Sequence, residues 1–210
     1  MTDTFESTSR FVRLARNAAL LGGGAAFISL AMVLGGETAR GEAFMGSSLA
    51  VLAGWLSFVA ACLLVLGLAG LAVRFVPVLS GSGTIALAVL VVATAVTAGA
   101  ASTLALVVPT LVERAPAIAH DPPAAVPASF IFSGLVMGVC GIVLAVALRR
   151  ALPELPGWAA PLLIIASVVT IVPLPSRYFL LAFSVAALLG VPRTEGRAQR
   201  EAVPAGRASA

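Results

Sequence analysis

The stretch from Ala43 to Val73, AFMGSSLAVLAGWLSFVAACLLVLGLAGLAV, contains no charged residue and decides the fold class. A helix needs roughly 20 consecutive apolar residues, at 1.5 Å rise each, to cross a hydrocarbon core of about 30 Å. Barrel strands would alternate apolar and polar side chains, and this run does not alternate. It reads as a membrane-spanning helix that ends at Arg74. About 20 residues back from Arg74 lies Gly54-Trp55, which puts Trp55 at a membrane interface, with the surplus residues absorbed by tilt or by a segment along the surface.

Five further uncharged runs follow the same pattern: Asn17–Gly36, Phe75–Val112, Pro122–Leu148, Leu155–Ser176 and Tyr178–Pro192. The 210-residue chain is 60% hydrophobic and 10% charged, against roughly 45–50% and 25% in soluble domains. A mean hydropathy of +1.08 requires solvation mostly by lipid. Soluble enzymes and nucleic-acid binders are thereby excluded. The expected fold is all-α, a polytopic membrane helix bundle of six transmembrane helices over residues 17–192. A cytoplasmic segment precedes it at 1–16, and a basic, disordered cytoplasmic tail follows at 193–210.

Arginine placement supplies the orientation, because short cytoplasmic loops retain basic residues. Every one of the 13 basic residues is arginine. With six spans the inner side holds Arg10, Arg13, Arg16, Arg74, Arg149, Arg150, Arg193, Arg197, Arg200 and Arg207. The outer side holds only Arg40, Arg114 and Arg177. Both termini are therefore expected inside a bacterial cytoplasmic membrane, with the connections at 37–46, 113–127 and 174–177 outside. Pro173 and Pro175 leave the last two runs short, so a re-entrant hairpin that also returns the tail inside stays open. Trp158 and Tyr178 are expected at interfaces. The first span is longer than a signal-peptide core and is expected to be retained.

Ion-coupled transport and membrane catalysis need ionisable groups at depth, and none falls inside the six runs. The polar residues Glu37, Glu42, Glu113, His120 and Asp121 gather near the outer ends, where carboxylates and an imidazole can in principle hold a cation, although no ligand spacing supports it. The single histidine removes most acid–base schemes. No Gly-x-Ser-x-Gly elbow, His-Glu-x-x-His helix, phosphate loop or dinucleotide fingerprint is present. The residues point to no enzyme, no metal and no cofactor. Cys62 and Cys140 fall in apolar runs and read as reduced packing residues.

Small residues mark close helix contacts in lipid. Ala18, Gly22 and Ala26 line one face of the first span, and Ala95, Gly99 and Thr103 one face of the third. Gly134 and Gly138 form a Gly-x-x-x-Gly in the fourth, with Gly141 adjoining. These seams join helices of one chain or of two copies.

Leu52–Val73, then Pro109 with Glu113-Arg114-Ala115-Pro116, then Arg149-Arg150-Ala-Leu-Pro and Trp158-Ala-Ala-Pro-Leu-Leu, together resemble uncharacterised multi-pass bacterial membrane proteins of actinobacterial type. Some of those carry a polar residue or histidine at the start of the second span; Ser47–Val51 here has no histidine. The resemblance implies a fold type and no activity. The expected role is a structural, interaction or accessory component of the cell membrane, with the lipid bilayer, another membrane protein or a second copy as partner and no nucleic acid. The alternative is a passive permease or flippase-like carrier for an uncharged or lipophilic solute.

Overall fold

In the computed structural model, the described residues are 2–44, 46–115, 125–172, 174 and 176–192, and every regular element among them is helical. Helix α1 (Thr2–Arg40) turns through a 3-10 segment at Gly41–Phe44 into α2 (Ser48–Phe75). The turn needs Gly41, whose φ of 55° is left-handed backbone that a side chain would strain. A second 3-10 turn (Val76–Val78) leads to α3 (Gly81–Leu106), followed by the short α4 (Val108–Arg114). The break at Val107 lies two residues before Pro109, where the missing N–H interrupts the ladder. Then come α5 (Ala125–Ala151), α6 (Ala159–Ile171) and α7 (Phe179–Gly190). Ser47 and Ser80 cap α2 and α3, their hydroxyls accepting from the N–H groups of Ala50 and Gly83.

The helices close a ring in which α1 packs on α2, α2 on α3, α3 on α5, α5 on α6, α6 on α7 and α7 back on α1. Helix α7 also touches α2 across the ring, and most of its side chains are buried. The core is one aliphatic column: Leu64, Leu68 and Leu71 of α2, Leu90 of α3, Leu144 of α5, Leu163 of α6, and Leu181, Val185 and Leu188 of α7. Leu21, Ile85, Phe132 and Ile165 point outward, as lipid-facing positions would. Glycine and alanine set the close approaches: Gly22 meets the Ala60 carbonyl, Gly67 meets Ala19, Gly54 meets Ala105, and Gly138 meets Ile171 and the Ser167 carbonyl.

Four helical stretches, within 7–40, 48–78, 81–114 and 128–151, are long and apolar enough to cross a membrane. Helices α6 and α7 are not. At 13 and 12 residues they reach about 18–20 Å, well short of the roughly 30 Å core. The expectation of six full crossings is corrected to four plus a short helical hairpin, because the sequence Val-Pro-Leu-Pro at 172–175 stops α6 early. The segment expected to precede the bundle at 1–16 continues α1 as helix from Thr2, while the tail at 193–210 lies outside the described residues.

Arg74, at the end of α2, is also not the surface charge the sequence suggests. It is buried, donates to the carbonyls of Leu189 and Val191, and lies 5.1 Å from the centroid of the Phe75 ring. A cation thus meets the free carbonyls at the end of α7, where the helix dipole is negative. Gly190 packs near Arg16, so α7 ends at the level where α1 carries its arginines.

Candidate functional site

The α6–α7 hairpin stops part-way up the bundle. Its tip residue Ser176 meets Ser29 of α1 and Ser57 of α2, and its neighbour Arg177 meets Ser133 of α5. By helical rise, these contacts lie about 16 Å inside the Arg40 end of α1, about 13 Å inside the Ser48 end of α2 and about 12 Å inside the Ala125 end of α5. The three long helices therefore agree on the depth of the tip. Above it the described residues leave the ring unfilled, and a cavity of about 140 Å³ occupies the space.

The cavity has apolar walls from Val33, Phe44, Ala50, Ala53, Ala101, Val108, Phe130 and Leu174. Phe44 is folded against Gly36, where any side chain would collide with its ring. The polar lining comprises Ser29, Ser57, Thr97, Ser176, Arg177 and Tyr178, with exposed Glu37 higher on α1 towards the open end. Beneath them begins the leucine column, so the cavity is blind towards the arginine-rich end.

Four hydroxyls interlock at the bottom. Ser29 donates to the Ala53 carbonyl at 2.8 Å, and Tyr178 donates to the Ser57 carbonyl. The protons of Ser57 and Ser176 then serve three contacts: Ser176 to Ser29 at 2.9 Å, Ser176 to Ser57 at 3.1 Å and Ser57 to Tyr178 at 2.8 Å. Thr97 donates to the Ala93 carbonyl at 2.9 Å. Every side-chain hydroxyl proton in the lining is committed. Ser176 has a φ of 52°, a conformation non-glycine residues adopt only when the surroundings fix it; its two serine partners do so.

Arg177 is 3% exposed. Its Nη2 donates to the Phe130 carbonyl and, at 2.9 Å, to the Ser133 hydroxyl. Both acceptors are neutral, and no described carboxylate lies within ion-pair distance. Nε and Nη1 have no hydrogen-bond partner among the described residues, and neither is sealed inside the packing. Gly134 provides the room, since a methyl there would sit 2.6 Å from Cζ and 2.7 Å from Nη1.

Two sequence expectations are corrected here. The 174–177 connection was expected at the outer surface and Tyr178 at an interface, yet Arg177 and Tyr178 are both buried at the hairpin tip. The expectation that no ionisable group lies at depth fails for the same reason: Arg177 sits between two runs in sequence but inside the bundle in space. Of the outer polar group, Glu37 reaches the cavity and Glu113 is exposed on α4, while the side chain of Glu42 and residues His120 and Asp121 lie outside the described residues. Among the described residues no three His, Cys, Asp or Glu side chains come together.

Of the packing glycines, Gly22, Gly134 and Gly138 sit in close contacts. Gly99 does not: it faces outward with nothing within 4 Å of a Cβ position, as do Ala95 and Thr103 on the same exposed face. The buried face of α3 carries Thr94, Thr97, Ala98, Ala101 and Ala105 instead. Trp55 and Trp158 point outward, and Cys62 is exposed rather than packed. The hydroxyl cluster escaped the sequence reading because serine is common in the chain. Its legible signal is the hairpin: two apolar segments too short to span, flanking one arginine, force that arginine below the surface. Comparison with protein-family models, with curated proteins and with solved structures gives no match for this chain.

Proposed function

We propose that the chain is a ligand-binding accessory component of a bacterial cytoplasmic membrane, embedded as a four-span bundle with a re-entrant hairpin and with both termini in the cytoplasm. The observation that carries this reading is the blind cavity, which ends on satisfied hydroxyls above a filled leucine column. Such a shape holds a molecule from one side and offers no route onward. Placing the arginine-rich end inside follows from the positive-inside bias, and the cavity then opens to the extracytoplasmic side.

Catalysis finds little support in the lining, whose hydroxyls bond to one another and to carbonyls, with no described imidazole or carboxylate beside them to act as base. Proton relay finds none in Arg177, because a guanidinium keeps its proton in proteins. Lipid is the constant partner. The outward small-residue face at Ala95, Gly99 and Thr103 is compatible with a neighbouring membrane protein.

Two measurements test the reading. Purified chain in micelles should bind the neutral apolar probe 1-octanol saturably, at one site per chain. The same chain in liposomes should neither speed glycerol entry nor dissipate an imposed pH gradient. Stimulated flux would favour the passive permease, and absence of saturable binding would remove the ligand-binding role.

A further inference from the structure

We propose that the cavity binds an oxyanion carried on an apolar body, a carboxylate or phosphate head with a hydrocarbon chain, anchored by the guanidinium of Arg177. The proposal rests on the reading of the cavity as a ligand site and adds the chemistry of its ligand.

Arginine at depth in a membrane is disfavoured even on insertion scales, and such residues usually find an opposite charge or a water-filled path. Here the guanidinium has neither a described carboxylate nor a position at the surface. It has one nitrogen bonded to two neutral oxygens, and three N–H groups on Nε and Nη1 without described partners. Among the described residues these are also the lining's only uncommitted side-chain donors, because the protons of Ser29, Ser57, Thr97, Ser176 and Tyr178 are spent inside the protein. A neutral ligand would leave the charge uncompensated. An oxyanion accepts from the guanidinium edge through charge-assisted bonds, roughly twice as strong as neutral ones.

The rest of the cavity fixes the remainder of the molecule. Val33, Phe44, Ala53, Val108 and Leu174 offer no polar side-chain group, so the body above the anion is hydrocarbon. Glu37 lies two turns of α1 above Ser29, about 12 Å away, exposed towards the open end. It makes no ion pair with Arg177.

The test compares octanoate with 1-octanol by calorimetry on the full chain in zwitterionic nanodiscs. Octanoate is expected to bind at least tenfold more tightly, and Arg177→Gln should abolish the difference between the two probes. Ala50→Phe, which narrows the cavity without touching the charge, should weaken both. Should Arg177→Gln fail to fold, Arg177→Lys keeps the charge with a different donor geometry and should narrow the preference for octanoate over octanol severalfold.

Equal affinity for the two probes, or octanoate binding indifferent to both Arg177 variants, overturns the proposal and leaves the ligand site standing. Binding of neither removes both. Phosphatidylglycerol added to the nanodiscs separates the sources: competition with octanoate, and one lipid per chain retained in native mass spectrometry, assigns a lipid headgroup. Undiminished octanoate binding assigns a soluble carboxylate, and either result supports the shared chemistry.

Discussion

The guanidinium of Arg177 lies in the gap left by the missing side chain of Gly134, with Nη1 only 2.7 Å from where a Cβ would stand. The same position faces the Thr170 carbonyl of α6, so a single glycine on α5 admits both the short hairpin and its charge.

Gly134→Ala should therefore unseat the hairpin tip. The overpacking is expected to cost about 1–3 kcal/mol, read as a lowered melting temperature in detergent. Gly99→Ala, with open space at its Cβ position, should leave the melting temperature unchanged. Equal effects of the two substitutions would contradict the placement of Arg177.

A second contrast isolates the α5–α6 seam. Gly138→Leu would drive a side chain into Ile171 and the Ser167 carbonyl, whereas Val139→Leu enlarges a side chain that is half exposed. The first should sharply reduce the yield of monodisperse protein in size-exclusion chromatography, and the second should not.

How far the sequence speaks is clear from these residues. The helical class, the four long spans and the close contacts at Gly22, Gly134 and Gly138 follow from charge-free length and small-residue spacing. Gly99 misled because a small residue on a helix reports permission for close approach, while the neighbour is a property of the assembled bundle. Ser29, Ser57 and Ser176 are separated by tens of residues, and nothing local marks them as partners. Arg177 reads as a surface charge because it separates two uncharged runs, and its place inside the bundle follows only from the lengths of α6 and α7.

Tyr178→Phe removes the donor to the Ser57 carbonyl and the contact with the Ser57 hydroxyl. Hydrogen bonds within membrane proteins average about 0.6 kcal/mol and reach about 1.7 kcal/mol, so a modest fall in stability is expected. A loss of several kcal/mol in a reversible unfolding assay would mean that the cluster holds the bundle together rather than lining a site.

Arg74→Ala should be more damaging, since it frees the carbonyls of Leu189 and Val191 at the end of α7 and leaves a gap beside Phe75. Faster hydrogen exchange confined to the last turn of α7 is the expected signature. Exchange unchanged there would show that the clamp is dispensable.

Cys62 is exposed and Cys140 lies on a different helix, with no disulfide between them. A non-reducing gel should show no internal crosslink, and Cys62→Ala should shift stability by less than about 1 kcal/mol.

The depth of the α6–α7 tip is tested most directly by nitroxide labels at Val172, beside the tip, and at Thr38, near the end of α1. In lipid nanodiscs the label at Val172 should collide readily with oxygen and poorly with a water-soluble nickel chelate, as a residue within the hydrocarbon does, while Thr38 shows the reverse. Nickel accessibility at Val172 equal to that at Thr38 would place the tip at the surface, restore six full spans and remove the cavity above the hairpin.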